Sequence, residues 1–463
     1  MNNKKRLAGL IILSVIVGYA NTIIGLDLRH SIIISVFTMS IMGTLLFWKL
    51  RLSFVFIGSG ILLLINAVNL EDFIKFASLD VILFLIGMMI LVGMMKEAGF
   101  FSWIIMAILR TKNLSGRKLL LLIMCISAFL TALMDEVTSI IIMVTIILDI
   151  CDFLEIKPTP LILSSILATN IGSAATVLGN PIGILIAARG QLSFQDFIIY
   201  ALPVSVIILA VTGGILLFIY RKYLHDISGK LKDISNNEFF LSLIRIPPDR
   251  KTKISMGIFG ITILFIAFHH HIENLFGVDK NALLMILPII SAGIVMLYRH
   301  DKAQYYVEHE VEWDSLLFFM FLFIQAGVLQ SSGVAAVLAE KIIQASGQGT
   351  NLLLGIILFS SGLLSSLLAN VVVVASFIPI VKNFDLIYTN IQPFWWVLLF
   401  GACFGGNITV IGSTANIIAM GIYEKRVGSK ISFLYWLKIG LLIGMVTMII
   451  SLLIVLLCPW YKV

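Results

Sequence analysis

Apolar runs about as long as a bilayer is thick recur from one end of this sequence to the other, and nothing else in it constrains the fold as strongly. A hydrocarbon core of about 30 Å needs roughly 20 apolar residues in helical form. Every backbone N–H and C=O inside it must be satisfied within the protein. Stretches near residues 7–25, 31–48, 52–68, 80–96, 197–220, 254–271 and 282–298 meet the demand. Composition agrees, with 60% hydrophobic and only 12% charged residues, against about 25% charge in a soluble domain. The formal net charge of +7 would suggest nucleic acid in a soluble chain. Here the gathering of Lys and Arg in cytoplasmic loops accounts for it, and no nucleic-acid partner is expected. Lys4-Lys5-Arg6 before the first run reads as the cytoplasmic flank of a first span rather than of a cleaved signal. The expectation is an all-α, multi-pass protein of a cell inner membrane, its N-terminus cytoplasmic and lipid its solvent.

Cys125, Cys151, Cys403 and Cys458 show no CxxC spacing, so neither a disulfide framework nor a Cys-ligated metal is expected. Phe268-His269-His270-His271, with only Glu273 nearby, reads as a solvated loop at a span end rather than a metal tract. Lys96 reads as a snorkelling residue that complements a helix dipole. No cofactor and no metal site is expected.

Two regions break the pattern. Between Leu119 and Cys151 the apolar run is interrupted by Met134-Asp135-Glu136-Val137-Thr138-Ser139. Carboxylates at membrane depth are costly unless they face protein or water. Each arm reads as too short to span alone, so a re-entrant hairpin with a polar tip is expected. Leu161–Ala188 is broken by the run from Thr169 to Pro181, where Gly and Pro unwind helix and Asn, Ser and Thr offer neutral polar groups.

Both features recur. Asp80-Val81-Ile82-Leu83-Phe84 resembles Asp314-Ser315-Leu316-Leu317-Phe318, an offset of 234 (314 − 80). The same offset aligns Gly93 with Gly327 and carries the tip at Asp135-Glu136 onto Ala369-Asn370. One residue of drift later, Thr176-Val177-Leu178-Gly179 matches Thr409-Val410-Ile411-Gly412. The basic loop Arg110–Lys118 has the uncharged Gln344–Gly349 as its counterpart, which puts the two copies in opposite orientation. The reading is about eleven transmembrane helices plus two re-entrant hairpins in an inverted repeat. Its parts are N-terminal scaffold helices at 1–79, a first repeat at 80–220, a cytoplasmic linker with scaffold helices at 221–313, and a second repeat at 314–463.

Inverted copies with broken helices describe a secondary transporter, whose site lies where the breaks meet. Half-helix N-termini there favour anions, while unwound carbonyls and carboxylates favour cations or protons. Asp135 and Glu136, with Thr138 and Ser139 one turn on, form the only acidic tip, and so close a pair is expected to hold one proton or a cation. Asn170, Ser173, Thr176 and Asn180 in the first half, and Asn370, Asn407, Thr409, Ser413, Thr414 and Asn416 in the second, complete the candidate set. Each also has a plainer role open to it, capping a helix or satisfying unwound backbone.

These residues resemble the ion transporter superfamily, which groups bacterial arsenite permeases, NhaD-type sodium/proton antiporters, the melanosomal P protein and citrate-transporter-like permeases. The likeness is carried by Phe84–Gly93, Asp135–Ser139, the run from Thr169 through Pro181, and Gly401 through Asn416. It implies scaffold and transport domains, a homodimer, and coupling to a proton or sodium. Members coupled to sodium tend to carry Asp-Asn at both tips, whereas here the tips are Asp135-Glu136 and Ala369-Asn370, and Gly183 stands where an Asn is common. The expected function is secondary transport of a small inorganic or organic anion, or of arsenite, by elevator-like alternating access. A sodium/proton antiporter is the alternative. A membrane enzyme would need a reactive constellation such as HExxH, and none is present in the sequence.

Overall fold

A computed structural model describes residues 3–23, 27–47, 50–100, 114–235, 250–347 and 349–461. Residues 101–113, which include the first part of the basic loop Arg110–Lys118, the linker residues 236–249 and Gln348 of the uncharged loop lie outside the described residues. Those described form an all-α membrane protein without a strand.

The N-terminal part is α1 (Asn3–Ile23), α2 (Leu28–Leu46), α3 (Arg51–Leu64) and the short α4 (Leu70–Phe76). Next come α5 (Leu79–Glu97), α6 (Gly116–Leu133), α7 (Glu136–Leu154), α8 (Thr159–Gly172), α9 (Pro181–Gly190) and α10 (Leu202–Ile219). The amphipathic α11 (Arg221–Ser235) leads to α12 (Arg250–Ala267), α13 (His269–Phe276) and α14 (Ala282–Tyr298). The last part is α15 (Trp313–Ser331), α16 (Val334–Ala345), α17 (Thr350–Ser365), α18 (Asn370–Asn383), α19 (Gln392–Gly405), α20 (Thr414–Val427) and α21 (Phe433–Leu457).

Among the described residues six helical stretches are long and apolar enough to cross a membrane unaided, and α12 with α13, bent by 63°, would make a seventh. The arms flanking Asp135 are two of the six, at 18 and 19 residues. The expectation that they are too short to span is therefore corrected. Helix continues from Gly116 to Leu133 and restarts at Glu136, so only two residues are lost to the turn. The second pair, α17 and α18, is shorter, with 16 and 14 residues.

Chain segments gather at two ends. At the first, Arg189 donates to Ser78, Asn281 donates to the Leu192 carbonyl at 3.3 Å, and Gln330 and Lys382 join Arg189 around one cavity. At the second, Arg51 pairs with Asp314 at 2.8 Å, Lys96 with Glu310 at 3.0 Å and Arg299 with Glu97 at 2.6 Å. Thus α5 runs from the first end to the second, and α15 runs back. The pairing with Glu310 also replaces the simple snorkelling expected of Lys96.

Segments matched in sequence pack alike. Leu79–Glu97 recurs as Trp313–Ser331, each bound displaced by 234 (313 − 79, 331 − 97). α5 packs on α14 and α15 on α3. A Cβ on Gly93 would lie 2.8 Å from Glu310 Cβ, and one on Gly327 would lie 2.6 Å from Phe76 Cβ. Glu310 and Phe76 are themselves 234 apart (310 − 76), so Gly93 in α5 takes the segment that precedes α15, and Gly327 in α15 takes the segment that precedes α5. The broken spans repeat this: Gly172 abuts the Ala128 backbone, as Gly405 abuts Gly362. Such small residues let helices approach where there is no hydrophobic drive to associate.

One expectation fails outright. His269 and Glu273 do not sit in a solvated loop but in α13, fully or almost fully buried. Both Glu273 oxygens accept backbone N–H groups, from Asn281 at 3.0 Å and Leu283 at 2.9 Å. The carboxylate therefore satisfies the orphan donors at the start of α14, and the His269 ring nitrogens lie 2.7 Å from the Ile266 carbonyl and 3.3 Å from Asn281 Oδ1.

Candidate functional site

The two broken spans meet tip to tip. α8 ends at Gly172, and the chain turns through residues 173–180 before α9 resumes at Pro181. α19 ends at Gly405, and α20 resumes at Thr414. Proline at the first position of α9 removes a donor that would otherwise need a partner. Asn180 caps that helix, its Oδ1 accepting from Gly183 N at 2.7 Å. Ser413 caps α20, accepting from Ala415 N at 3.2 Å.

Across the seam, the Asn170 amide donates to Asn407 Oδ1 at 2.8 Å and to Asn416 Oδ1 at 2.9 Å. Asn416 in turn donates to the Gly406 carbonyl at 2.8 Å and the Thr409 carbonyl at 2.9 Å, closing the second break upon itself. Asn180 donates to Ser173 Oγ at 2.9 Å and reaches Cys403 Sγ at 3.3 Å. Ser413 donates to Glu136 Oε1 at 3.3 Å, which brings the first tip to the second break. All of these side chains are buried.

Asp135 caps α7, its Oδ1 accepting from Thr138 N at 2.8 Å. Thr138 enters through that N–H, and Thr414 heads α20 half-buried. Asn370 begins α18 and accepts from Ser365 Oγ at 2.6 Å.

Thr176 and Thr409 have a different place. Thr176 donates to the Ala132 carbonyl and accepts from Leu178 N, while Thr409 donates to the Ser366 carbonyl and accepts from Ile411 N. Ala132 and Ser366 are repeat mates (366 − 132 = 234). Each threonine thus staples its broken span to the neighbouring tip, and most of its hydroxyl capacity is spent on backbone.

Six buried polar atoms in this region have no hydrogen-bond partner among the described residues: Glu136 Oε2, Ser139 Oγ, Thr169 Oγ1, Asn170 Oδ1, Asn370 Nδ2 and Asn407 Nδ2. A buried polar atom left unpaired costs about 1–3 kcal/mol, so several at one seam single it out as the candidate site. Four are oxygens and two are amide donors, so the cluster can present acceptors to a cation or proton and donors to an anion.

Sequence reasoning found most of this cluster and missed Thr169, Ser365 and Cys403. Thr169 lies inside the broken run and was legible there. Ser365 sits in an apolar helical stretch with no local signal, whereas Cys403 lies inside the run from Gly401 to Asn416 that carries the likeness.

A family model described as citrate transporter matches residues 37–401 and 307–462. The chain belongs to the citrate transporter family. Relatives include an uncharacterized transporter of Mycobacterium tuberculosis, 30% identical over 80% of this chain and 84% of that one. A 46 kDa membrane protein of Mycobacterium leprae is 30% identical over 85% of this chain and 90% of its own length. The human P protein is 24% identical over 80% of this chain and 52% of that protein. As a member of the citrate transporter family the chain is a multi-pass membrane transporter, and the likeness to the P protein agrees with the wider superfamily that the motifs pointed to.

Proposed function

We propose that this member of the citrate transporter family is a secondary active transporter that carries a small anion, of the organic type the family name indicates, by alternating access coupled to a proton. The observation that carries the reading is the Asn170 amide bridging to Asn407 and Asn416, with Glu136 held by Ser413 in the same seam. A site shared between two halves can be opened by moving one against the other. Residues 80–220 and 314–463 are assigned as the two repeats, inverted in the membrane, with 1–79 and 221–313 as scaffold and linker. The opposite courses of α5 and α15 support that assignment. The inner membrane, a cytoplasmic N-terminus and a homodimer complete the proposal.

Asp135 and Glu136 are the coupling carboxylates in this reading, and the unpartnered amide donors of Asn370 and Asn407 face the anion. The test is uptake into proteoliposomes of citrate, dicarboxylates, arsenite and sodium, with a pH-sensitive dye inside. Uptake of an anion accompanied by acidification is the expected result. Absence of substrate-dependent proton movement together with absence of anion uptake would overturn it.

One observation favours a second reading. Four of the six unpartnered atoms are oxygens, all in the first half, which is the ligand chemistry of a hard cation. A sodium/proton antiporter would show sodium-dependent proton movement with no anion present.

A further inference from the structure

At the end of the molecule where α5 begins, α4, α9, α15 and α18 enclose a cavity of about 390 Å³. Its floor is apolar, with Leu185, Phe323 and Ile378 among its residues. Its rim carries Lys75, Arg189 and Lys382, together with Ser78 and Gln330, and no carboxylate is among its lining residues. Arg189 is oriented by its bond to Ser78. Lys75 and Lys382 make no ion pair among the described residues, although the opposite end of the protein pairs Arg51, Lys96, Arg299 and Arg426 with carboxylates. Arg189 and Lys382 also repel one another. The cavity shares Arg189, Gln330 and Lys382 with a wider polar one of about 710 Å³, which adds Lys280 and also the carboxylates Asp196 and Asp385.

The repeat shows that this charge is not a by-product of the fold. The mates of Lys75 and Lys382 under the 234 offset are His309 (309 − 75) and Leu148 (382 − 148), and the mate of Arg189 under the 233 offset of the broken spans is Ile422 (422 − 189). The second copy builds the same elements without the cations.

We infer that this cavity is an anion-binding vestibule, distinct from the central seam, which takes an oxyanion carrying at least two negative charges on carboxylate or phosphate groups. Three cations around an apolar-floored pocket concentrate such an anion, because low-dielectric walls focus their field. The cations come from three separate elements, α4, α9 and α18, so the bound anion replaces repulsion among them with attraction. The chemistry fits a soluble di- or tricarboxylate on its way to the seam, and equally the phosphate of an acidic lipid headgroup. This inference rests on the anion-transport reading for its role, and on the cavity alone for its ligand class.

The experiment measures uptake of labelled citrate by proteoliposomes of phosphatidylcholine containing wild type, Lys75→Gln, Lys382→Gln, Lys382→Arg or Lys118→Gln. Either glutamine variant should raise the half-saturating citrate concentration about tenfold, and added salt should shrink that difference. Lys382→Arg should restore wild-type affinity, and Lys118→Gln, at the opposite end, should match wild type. In a second arm the vesicles contain phosphatidylglycerol. If the headgroup is the ligand, it lowers wild-type uptake and leaves the glutamine variants unchanged. If the soluble anion is the ligand, the lipid changes nothing and the citrate difference persists. Wild-type uptake with equal half-saturation and equal lipid response in every variant overturns the vestibule and spares the transport reading. Absence of wild-type uptake of any anion overturns both.

Discussion

Asn170 donates to Asn416 across the seam between the two halves, at 2.9 Å, and the bond has no mirror image. Under the 233-residue offset of the broken spans, the mate of Asn170 is Cys403 (403 − 170) and the mate of Asn416 is Gly183 (416 − 183). Neither mate can make that bond. The scaffold of the seam is therefore two-fold in character while its polar contacts are not. A carrier binding one asymmetric ligand needs that distinction.

Replacing Asn170 with Leu should remove the donor that both partners accept from and leave Asn407 Oδ1 and Asn416 Oδ1 short of it. The cost in stability should be about 1–3 kcal/mol, read as a lower unfolding temperature in detergent. Transport should fall further than stability predicts. Asn407→Ala with Asn416 intact should be milder, because Asn416 alone also closes its own break.

Asp135 separates capping from charge. Asn caps helices about as well as Asp, whereas Ala forfeits about 1 kcal/mol. Asp135→Asn should thus unfold at the wild-type temperature yet lose transport driven by a pH gradient, and Asp135→Ala should lose both. Full gradient-driven transport by Asp135→Asn would leave Asp135 as a helix cap and nothing more.

Thr176 and Thr409 should behave as staples. Thr176→Val and Thr409→Val keep shape and remove the hydroxyl, and each should cost about 0.6–2 kcal/mol in a membrane setting. Thermal unfolding of the two variants should shift by similar amounts, as repeat mates with matching contacts require. A raised half-saturating substrate concentration with unchanged stability would instead place the hydroxyls against the ligand.

Close backbone approach gives a sharper contrast. A Cβ on Gly405 would fall 2.2 Å from the Gly362 carbonyl oxygen, whereas one on Gly421 meets nothing within 4 Å. Gly405→Ala should destabilise by about 1–3 kcal/mol, and Gly421→Ala should be neutral or slightly stabilising. Equal melting temperatures would contradict the packing of α17 against α19.

Orientation can be read from Gln191 and Lys425, which are both exposed and lie at the far ends of the matched helices α9 and α20. In an inverted repeat they lie on opposite sides of the membrane. Cysteines placed at each, on a background lacking the four native cysteines, should differ in labelling by an impermeant thiol reagent in intact cells. Equal labelling would end the inverted reading.

The sequence by itself determined the membrane class and the two polar breaks, and it pointed to a repeat. Those features are local or periodic: apolar length, mid-run carboxylates, and Gly, Pro and Asn where helix must unwind. It also located Asn170, Asn180, Asn407, Ser413 and Asn416, because polar groups at membrane depth stand out against an apolar background. What each polar group does was decided only by the tertiary structure. Thr176 became a staple because the Ala132 carbonyl lies within its reach, and His269 was buried because α13 bends 63° back from α12. Lys75, Arg189 and Lys382 sit far apart in the chain at the ends of unremarkable helices, so no window on the sequence joins them. Hydrogen bonds and charge fields depend on distances of a few ångströms, which chain order does not encode until the helices have packed.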